Sequence, residues 1–216
     1  MRHWVAGTED PGWFLESGRL GAETIVRMLE KQTLALDRFD DVLDFGCGCG
    51  RIIRYLMPYR CLRLHGTDSN PLMITWCDEY LEFAEFSSNR VEPPLRYRDG
   101  SFDFVYAFSV FTHLPASLQR PWMEEFKRVI KPRGILLLSL HGDHYLKELD
   151  EARAASYRSG NLVVTGSEEA GRNICAAFHP EAYVRAVLSK GFAVIDYVPE
   201  GALGNPKQDV YLLKRP

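Results

Sequence analysis

Three glycines on alternate positions are the residues of this chain whose spacing carries the clearest chemical meaning. Gly46, Gly48 and Gly50 belong to the segment DDVLDFGCGCGR, residues 40–51, and follow the short apolar run 42–45. A strand that turns into a helix through glycines lets backbone N–H groups approach a ligand closely. The segment therefore predicts a loop that binds a nucleotide-like ligand.

Two acids near this loop narrow the class of ligand. Asp44 stands two residues before the first glycine, and Asp68 ends the next predicted strand, 18 residues after Gly50. An acid beside the loop would repel a pyrophosphate but suits a cationic group, and the G-x-G-x-G spacing differs from the dinucleotide pattern G-x-G-x-x-G. A carboxylate at the second strand end can accept hydrogen bonds from both ribose hydroxyls. A phosphate-free nucleoside with a cationic end, S-adenosylmethionine, fits both acids.

Strands and helices alternate along the chain around these residues. This alternation predicts one α/β domain over residues 1–216, with a doubly wound, mostly parallel sheet whose ligands bind beyond the carboxyl ends of the strands. The two closing strands are predicted to form an antiparallel hairpin. The predicted strands are 42–45, 62–67, 83–86, 102–108, 135–140, 192–198 and 209–214, and the predicted helices are 22–32, 51–59, 72–83, 117–130 and 180–190.

Two segments fall outside this alternation. Residues 1–20 are interpreted as an arm or lid whose aromatic residues Trp4, Trp13 and Phe14 could cover a ligand or pack as core. Residues 141–177 are polar and irregular, and are interpreted as a substrate-side insertion. The insertion contains the candidate acceptor-binding residues Tyr157, Arg158, Asn161 and Arg172.

Composition disfavours several classes of function. The net charge of −3 and the pI of about 6.1 argue against a nucleic-acid binder. The five cysteines include a Cys47-x-Cys49 pair, too tight for the usual zinc half-site and without a second pair, so no metal is expected. No apolar stretch reaches membrane-spanning length, and no apolar leader opens the sequence, so we expect a cytoplasmic protein.

Four segments in order resemble the class I S-adenosylmethionine-dependent methyltransferases, near the type 11 and 12 domains. They are VLDFGCGCGR, HGTDSNPLMI, DGSFDFVYAFSVFTHL and FKRVIKPRGILLLSL, and the resemblance covers residues 40–142 plus the closing strands. It implies a Rossmann-like, seven-stranded sheet with an antiparallel last strand, in agreement with the predicted hairpin.

The resemblance also implies which residues hold the cofactor. Asp44 would lie near the methionine end, Asp68 would hold the ribose, and Asn89 stands where the family often has an acid that meets the adenine amine. The glycine loop, the residues after Asp68 and the residues after the fourth strand complete the set. The predicted cofactor-binding residues are Asp44, Gly46, Cys47, Gly48, Gly50, Asp68, Ser69, Asn70, Asn89, Ser109 and Val110.

His113 and His141 are the candidate catalytic residues, because each follows a predicted strand at the carboxyl edge of the sheet. A histidine of near-neutral pKa could remove a proton from an attacking hydroxyl or amine. Either histidine could instead pack against its loop without touching a substrate, so both interpretations stay open.

These observations predict O- or N-methyl transfer to a small-molecule acceptor, with S-adenosylmethionine as the cofactor and neither nucleic acid nor membrane as a partner. One alternative is a non-catalytic S-adenosylmethionine-binding protein. Another is a nicotinamide-dependent oxidoreductase, which the loop spacing and Asp44 disfavour.

Overall fold

A seven-stranded sheet forms the centre of the protein in the computed structural model, which describes residues 10–166, 175–204 and 207–216. The strand order is β3-β2-β1-β4-β5-β9-β8, and only β9 runs antiparallel to its neighbours. The predicted fold class and the closing hairpin are confirmed. The strands are β1 Asp41–Phe45, β2 Arg63–Asp68, β3 Glu85–Ser88, β4 Phe102–Ala107, β5 Ile130–Leu140, β8 Ala193–Val198 and β9 Asp209–Lys214.

Helices pack on the sheet and bury an apolar core on each of its faces. Successive strand residues alternate between the two cores, as a pleated sheet requires: Val42 belongs to one core and Leu43 to the other. Because both faces are covered, the central strands are nearly all apolar. The helices are α1 Pro11–Glu30, α2 Pro71–Tyr80, α3 Ala116–Val129, α4 Glu151–Arg158 and the short α5 Glu181–Tyr183, which continues as a π-helical turn over Val184–Leu188.

Helix α1 begins eleven residues earlier than the sequence predicts, so residues 11–20 are its first half and not an arm. Asp10 caps it by accepting a hydrogen bond from the Gly12 N–H, and Pro11 occupies the first turn, where proline is tolerated. Its glycines look like helix breakers, but Gly18 packs against the Arg51 backbone, where an added Cβ would lie 2.1 Å from the carbonyl oxygen. Residues 1–9, with Trp4, lie outside the described residues.

The helix predicted over 51–59 is reduced to a single 3-10 turn, Ile53–Tyr55. The Arg54 guanidinium donates to the Gly50 and Cys49 carbonyl oxygens at 2.8 and 2.9 Å, which ties this turn to the glycine loop before it.

The segment 141–177 is more ordered than the sequence indicates in the part that is described. It contains a 3-10 turn, Asp143–Glu148, helix α4, and a small antiparallel sheet of β6 Val163–Thr165 and β7 Ala176–Phe178. These strands have three residues each, too few to give a readable alternation. Residues 167–174, with Arg172, lie outside the described residues.

Two strands differ from the prediction by more than one residue at a boundary. Strand β3 lies two residues later than predicted. Strand β5 begins five residues earlier than predicted and includes residues 131–134, where Arg133 has a φ of 68°. Among the described residues, no helix combines the length and apolarity needed to cross a membrane.

Candidate functional site

A cleft opens at the carboxyl ends of β1, β2, β3 and β4, where a doubly wound sheet binds its ligands. Nine of the residues singled out in the sequence line it, although they come from four separate stretches of chain. They are Gly46, Gly48, Asp68, Ser69, Asn70, Asn89, Ser109, Val110 and His113.

Contrary to the sequence prediction, four N–H groups of the glycine loop are paired within the protein and are not free for a ligand. The N–H groups of Gly46 and Cys47 donate to the Thr67 carbonyl at 2.8 and 3.0 Å, and that of Gly50 donates to the Cys47 carbonyl at 2.9 Å. The Gly48 N–H donates to the Asp68 carboxylate at 2.8 Å. A phosphate held by loop N–H groups would need those donors. The arrangement therefore disfavours a dinucleotide.

The loop still needs its glycines for steric reasons. Gly46 has a φ of 76°, and a Cβ there would lie 2.4 Å from a Val110 methyl group. Gly50 has a φ of 70° and faces Leu81 at the same close distance, 2.4 Å. Gly50 thus lets the loop pack, whereas Gly46 lies at the cleft itself.

Asp68 is placed to receive hydroxyl groups from a ligand. One carboxylate oxygen accepts from the Gly48 N–H and the other from the Asn70 N–H, each at 2.8 Å. An ionised carboxylate has about four acceptor positions, so two remain for hydroxyls in the cleft. Burial raises the pKa of Asp68, while the two backbone hydrogen bonds oppose that shift. The residue fits a ribose diol.

Asp44 lies behind the loop and does not line the main cleft. It is 4% exposed and borders a smaller cavity with Gly46, Cys47, Arg51 and other residues. Burial raises the pKa of Asp44 to about 7, against the opposing effects of the Tyr106 hydroxyl and the Arg51 charge. A cation reaching this cavity would favour the ionised carboxylate.

Most hydrogen-bonding positions of the Asn89 amide are taken up by neighbouring residues. Its amide oxygen accepts from the Thr67 hydroxyl at 2.9 Å, and its amide nitrogen donates to the Arg90 carbonyl at 2.6 Å. One N–H remains for a ligand in the cleft.

The structure brings the two candidate histidines together but gives them different surroundings. Their ring centroids are 6.4 Å apart, and His113 lines the cleft. His141 does not; its ring lies 4.0 Å from that of Tyr145, and burial lowers its pKa to about 4. His113 Nδ1 lies 3.0 Å from the Cys175 carbonyl oxygen, and burial lowers its pKa.

Cys47 and the candidate acceptor residues Tyr157 and Arg158 lie outside the lining of the cleft. Cys47 is buried, and burial raises the pKa of its thiol, which opposes formation of a nucleophilic thiolate. Tyr157 is 3% exposed and donates to Asp143, and Arg158 pairs with Glu151 at the surface. Neither Tyr157 nor Arg158 lines the cleft.

Sequence reasoning missed the apolar walls of the cleft. Phe45 directly precedes the glycine loop, and Phe108 and Leu114 flank the residues predicted after β4, so proximity to the motifs was a usable signal. Met73 and Trp122 come from helices and carry no such signal. The missed lining residues are Phe45, Met73, Arg90, Val91, Phe108, Leu114 and Trp122.

Comparison with known proteins gives a family match for the middle of the chain. Residues 43–138 match the sequence model of the family described as "Methyltransferase domain". The sterol 24-C-methyltransferase erg6 of Schizosaccharomyces pombe is 32% identical over 99 residues, which cover 44% of this chain and 26% of the relative. The chain thus matches about a quarter of the length of this curated relative.

Solved structures share the fold across most of the chain. A methyltransferase from Methanosarcina mazei superposes with a TM-score of 0.63 at 22% identity, covering 82% of this chain and 92% of that one. The 1,6-didemethyltoxoflavin-N1-methyltransferase of Burkholderia thailandensis, solved with S-adenosylhomocysteine, gives 0.66 at 15% identity, covering 95% and 81%. Residues 43–138 thus match a methyltransferase domain in sequence, and the sheet order around them is that of the class I methyltransferase fold.

Proposed function

We propose that this protein transfers the methyl group of S-adenosylmethionine to an oxygen or nitrogen atom of a small-molecule acceptor. The observation that carries the proposal is the placement of Asp68, which is fixed by two backbone N–H groups at the cleft and keeps acceptor positions for a ribose. The internal pairing of the loop N–H groups also supports a phosphate-free cofactor over a nicotinamide dinucleotide.

S-adenosylmethionine is the cofactor of this class, and it supplies a methyl group that its sulfonium already makes electrophilic. The chain therefore has to bind the cofactor and the acceptor, orient them toward each other, and exclude water. In this proposal Asp68 holds the ribose hydroxyls, Asp44 attracts the cationic end, and the apolar walls around Phe45 and Trp122 keep water out. Ser69, Asn70 and Asn89 border the adenosine, and Ser109 and Val110 border the methionine moiety.

His113 is the residue that we propose removes a proton from the acceptor. A carbonyl oxygen can only accept, so the contact with Cys175 requires the hydrogen on Nδ1. The neutral ring then carries its lone pair on Nε2, the atom that a base needs. Because burial lowers the pKa of His113, the neutral form persists below the usual histidine range. His141, outside the cleft, is proposed as packing.

A screen with methyl-labelled S-adenosylmethionine tests the activity. It includes hydroxylated and amine-bearing small molecules, and a sterol because of the relative's name. We expect labelled product from one oxygen- or nitrogen-bearing acceptor and its loss in Asp68→Ala. Cofactor binding without product from any acceptor would favour the non-catalytic alternative, and a sterol methylated on carbon as the only product would contradict transfer to oxygen or nitrogen.

A further inference from the structure

A closed hydrogen-bond network joins the loop after β4 to the residue that precedes β9. Ser109 is half-buried at the cleft, whereas Thr112, Ser139 and Gln208 are at most 4% exposed. The Ser109 N–H donates to Ser139 Oγ at 2.7 Å, and Ser139 Oγ donates to Gln208 Oε1 at 2.7 Å. Gln208 Nε2 donates back to Ser109 Oγ at 2.8 Å.

The network has one consistent set of donors. The Thr112 hydroxyl donates to the Ser109 carbonyl at 2.8 Å, so the Ser109 hydroxyl, 3.1 Å from Thr112 Oγ1, donates to that oxygen. Ser109 is thus held at its N–H, its hydroxyl and its carbonyl. Gln208 closes the ring, because its amide oxygen accepts from Ser139 and its amide nitrogen donates to Ser109.

The network restrains Ser109, whose backbone conformation is unfavourable. Ser109 has a φ of 59°, in the left-handed region that residues other than glycine seldom adopt. Ser109 and Val110 form part of the cleft wall, and the 3-10 turn Phe111–His113 follows at once. A change at Ser109 would move the cofactor wall and His113 together.

We propose that Gln208 is a positioning residue, which holds Ser109 in its left-handed conformation and thereby shapes the cofactor cleft from the residue that precedes β9. This inference rests on the proposed function in so far as the ligand of the cleft is S-adenosylmethionine. Gln208 does not line the main cleft and is not a catalytic residue.

The first test measures the network without any ligand. Hydrogen exchange is followed at the Ser109 and Val110 amides in the wild type, in Gln208→Ala and in the control variant Leu188→Ala. Leu188 is a buried residue of the π-helical turn. Gln208→Ala removes both side-chain hydrogen bonds of Gln208, and we expect it to lower protection at the Ser109 amide by about tenfold. Leu188→Ala should lower the melting temperature without this local loss.

The second test measures cofactor affinity by calorimetry. We expect Gln208→Ala to weaken S-adenosylmethionine about tenfold and Leu188→Ala to leave it unchanged. In a Ser109→Gly background, which removes both the backbone strain and the hydroxyl that Gln208 contacts, Gln208→Ala should have no further effect on affinity.

The outcomes separate this inference from the proposed function. Unchanged exchange at Ser109 in Gln208→Ala, or an equal loss of affinity in Gln208→Ala and Leu188→Ala at matched stability, overturns the positioning role. A wild-type protein that binds no S-adenosylmethionine overturns the proposed function, while the exchange measurement still decides whether Gln208 holds Ser109.

Discussion

At the scale of single residues, the chemistry of this site depends on hydrogen bonds made by neighbouring groups. Asp68 is an ordinary carboxylate until the Gly48 and Asn70 N–H groups orient it toward the cleft. His113 becomes a candidate base because the Cys175 carbonyl fixes its tautomer. The sequence predicted both residue types at the right strand ends, but it could not show which atoms would be left for a ligand.

Asp44 gives a prediction about protons. Because burial raises its pKa to about 7, roughly half of the empty protein carries a proton on this carboxyl at pH 7. A bound cation favours the ionised form, so S-adenosylmethionine should release protons on binding, and its affinity should rise as the pH increases from 6 to 8. Calorimetry at pH 7 in two buffers of different ionisation enthalpy measures this release.

Asp44→Asn is the matched control, since it keeps the size of the side chain and removes the titration. The difference between the two proteins isolates Asp44 from the ligand's own amine. Equal proton release in both proteins would contradict the role assigned to Asp44.

His113 gives a prediction about the pH dependence of turnover. Since burial lowers its pKa, the acid limb of kcat should have its midpoint below the usual histidine value of about 6.5. His113→Gln should lower kcat by about 10²- to 10⁴-fold and remove that limb, while cofactor affinity changes little. His141→Gln should keep the limb; an unchanged kcat in His113→Gln would show that no base acts there.

At the scale of elements, apolar periodicity predicted the strands and helices that are stabilised by packing in the core. It did not predict local changes that depend on single side chains. The runs that became β1, β4 and β5 are buried on both faces, so their composition marked them. The segment after the glycine loop forms one 3-10 turn in place of the predicted helix, and Arg54 ties that turn to the loop through the Gly50 and Cys49 carbonyls. Helix α1 was predicted too short because its glycines serve close packing, which composition does not reveal.

Helix α1 therefore yields a stability prediction. Gly18→Ala should destabilise the protein by about 1–3 kcal/mol, because the new Cβ meets the Arg51 carbonyl and the backbone must shift. Gly12→Ala is the matched control, since its Cβ would come no closer than 3.3 Å to the exposed Asp10 side chain. Urea unfolding of both variants measures the difference; equal stabilities would show that α1 does not pack this closely.

At the scale of the whole molecule, the parallel sheet gathers distant residues at one edge. The strand ends predicted the cleft residues from Gly46 to His113, because a doubly wound topology fixes where such ends meet. The topology could not predict His141, whose ring is packed beside Tyr145, or Gln208, whose partners lie 69 and 99 residues away. The Gln208 contacts depend on how the start of β9 is placed beside β5, which the sequence pattern does not encode.

The most direct measurement is calorimetric titration of the wild type and Asp68→Ala with S-adenosylmethionine, S-adenosylhomocysteine and NADH. We expect the wild type to bind both adenosyl ligands and not NADH, and Asp68→Ala to lose at least about tenfold in affinity while remaining folded. Wild-type binding of NADH alone, or equal binding of S-adenosylmethionine by the two proteins, would contradict the assignment of this cleft.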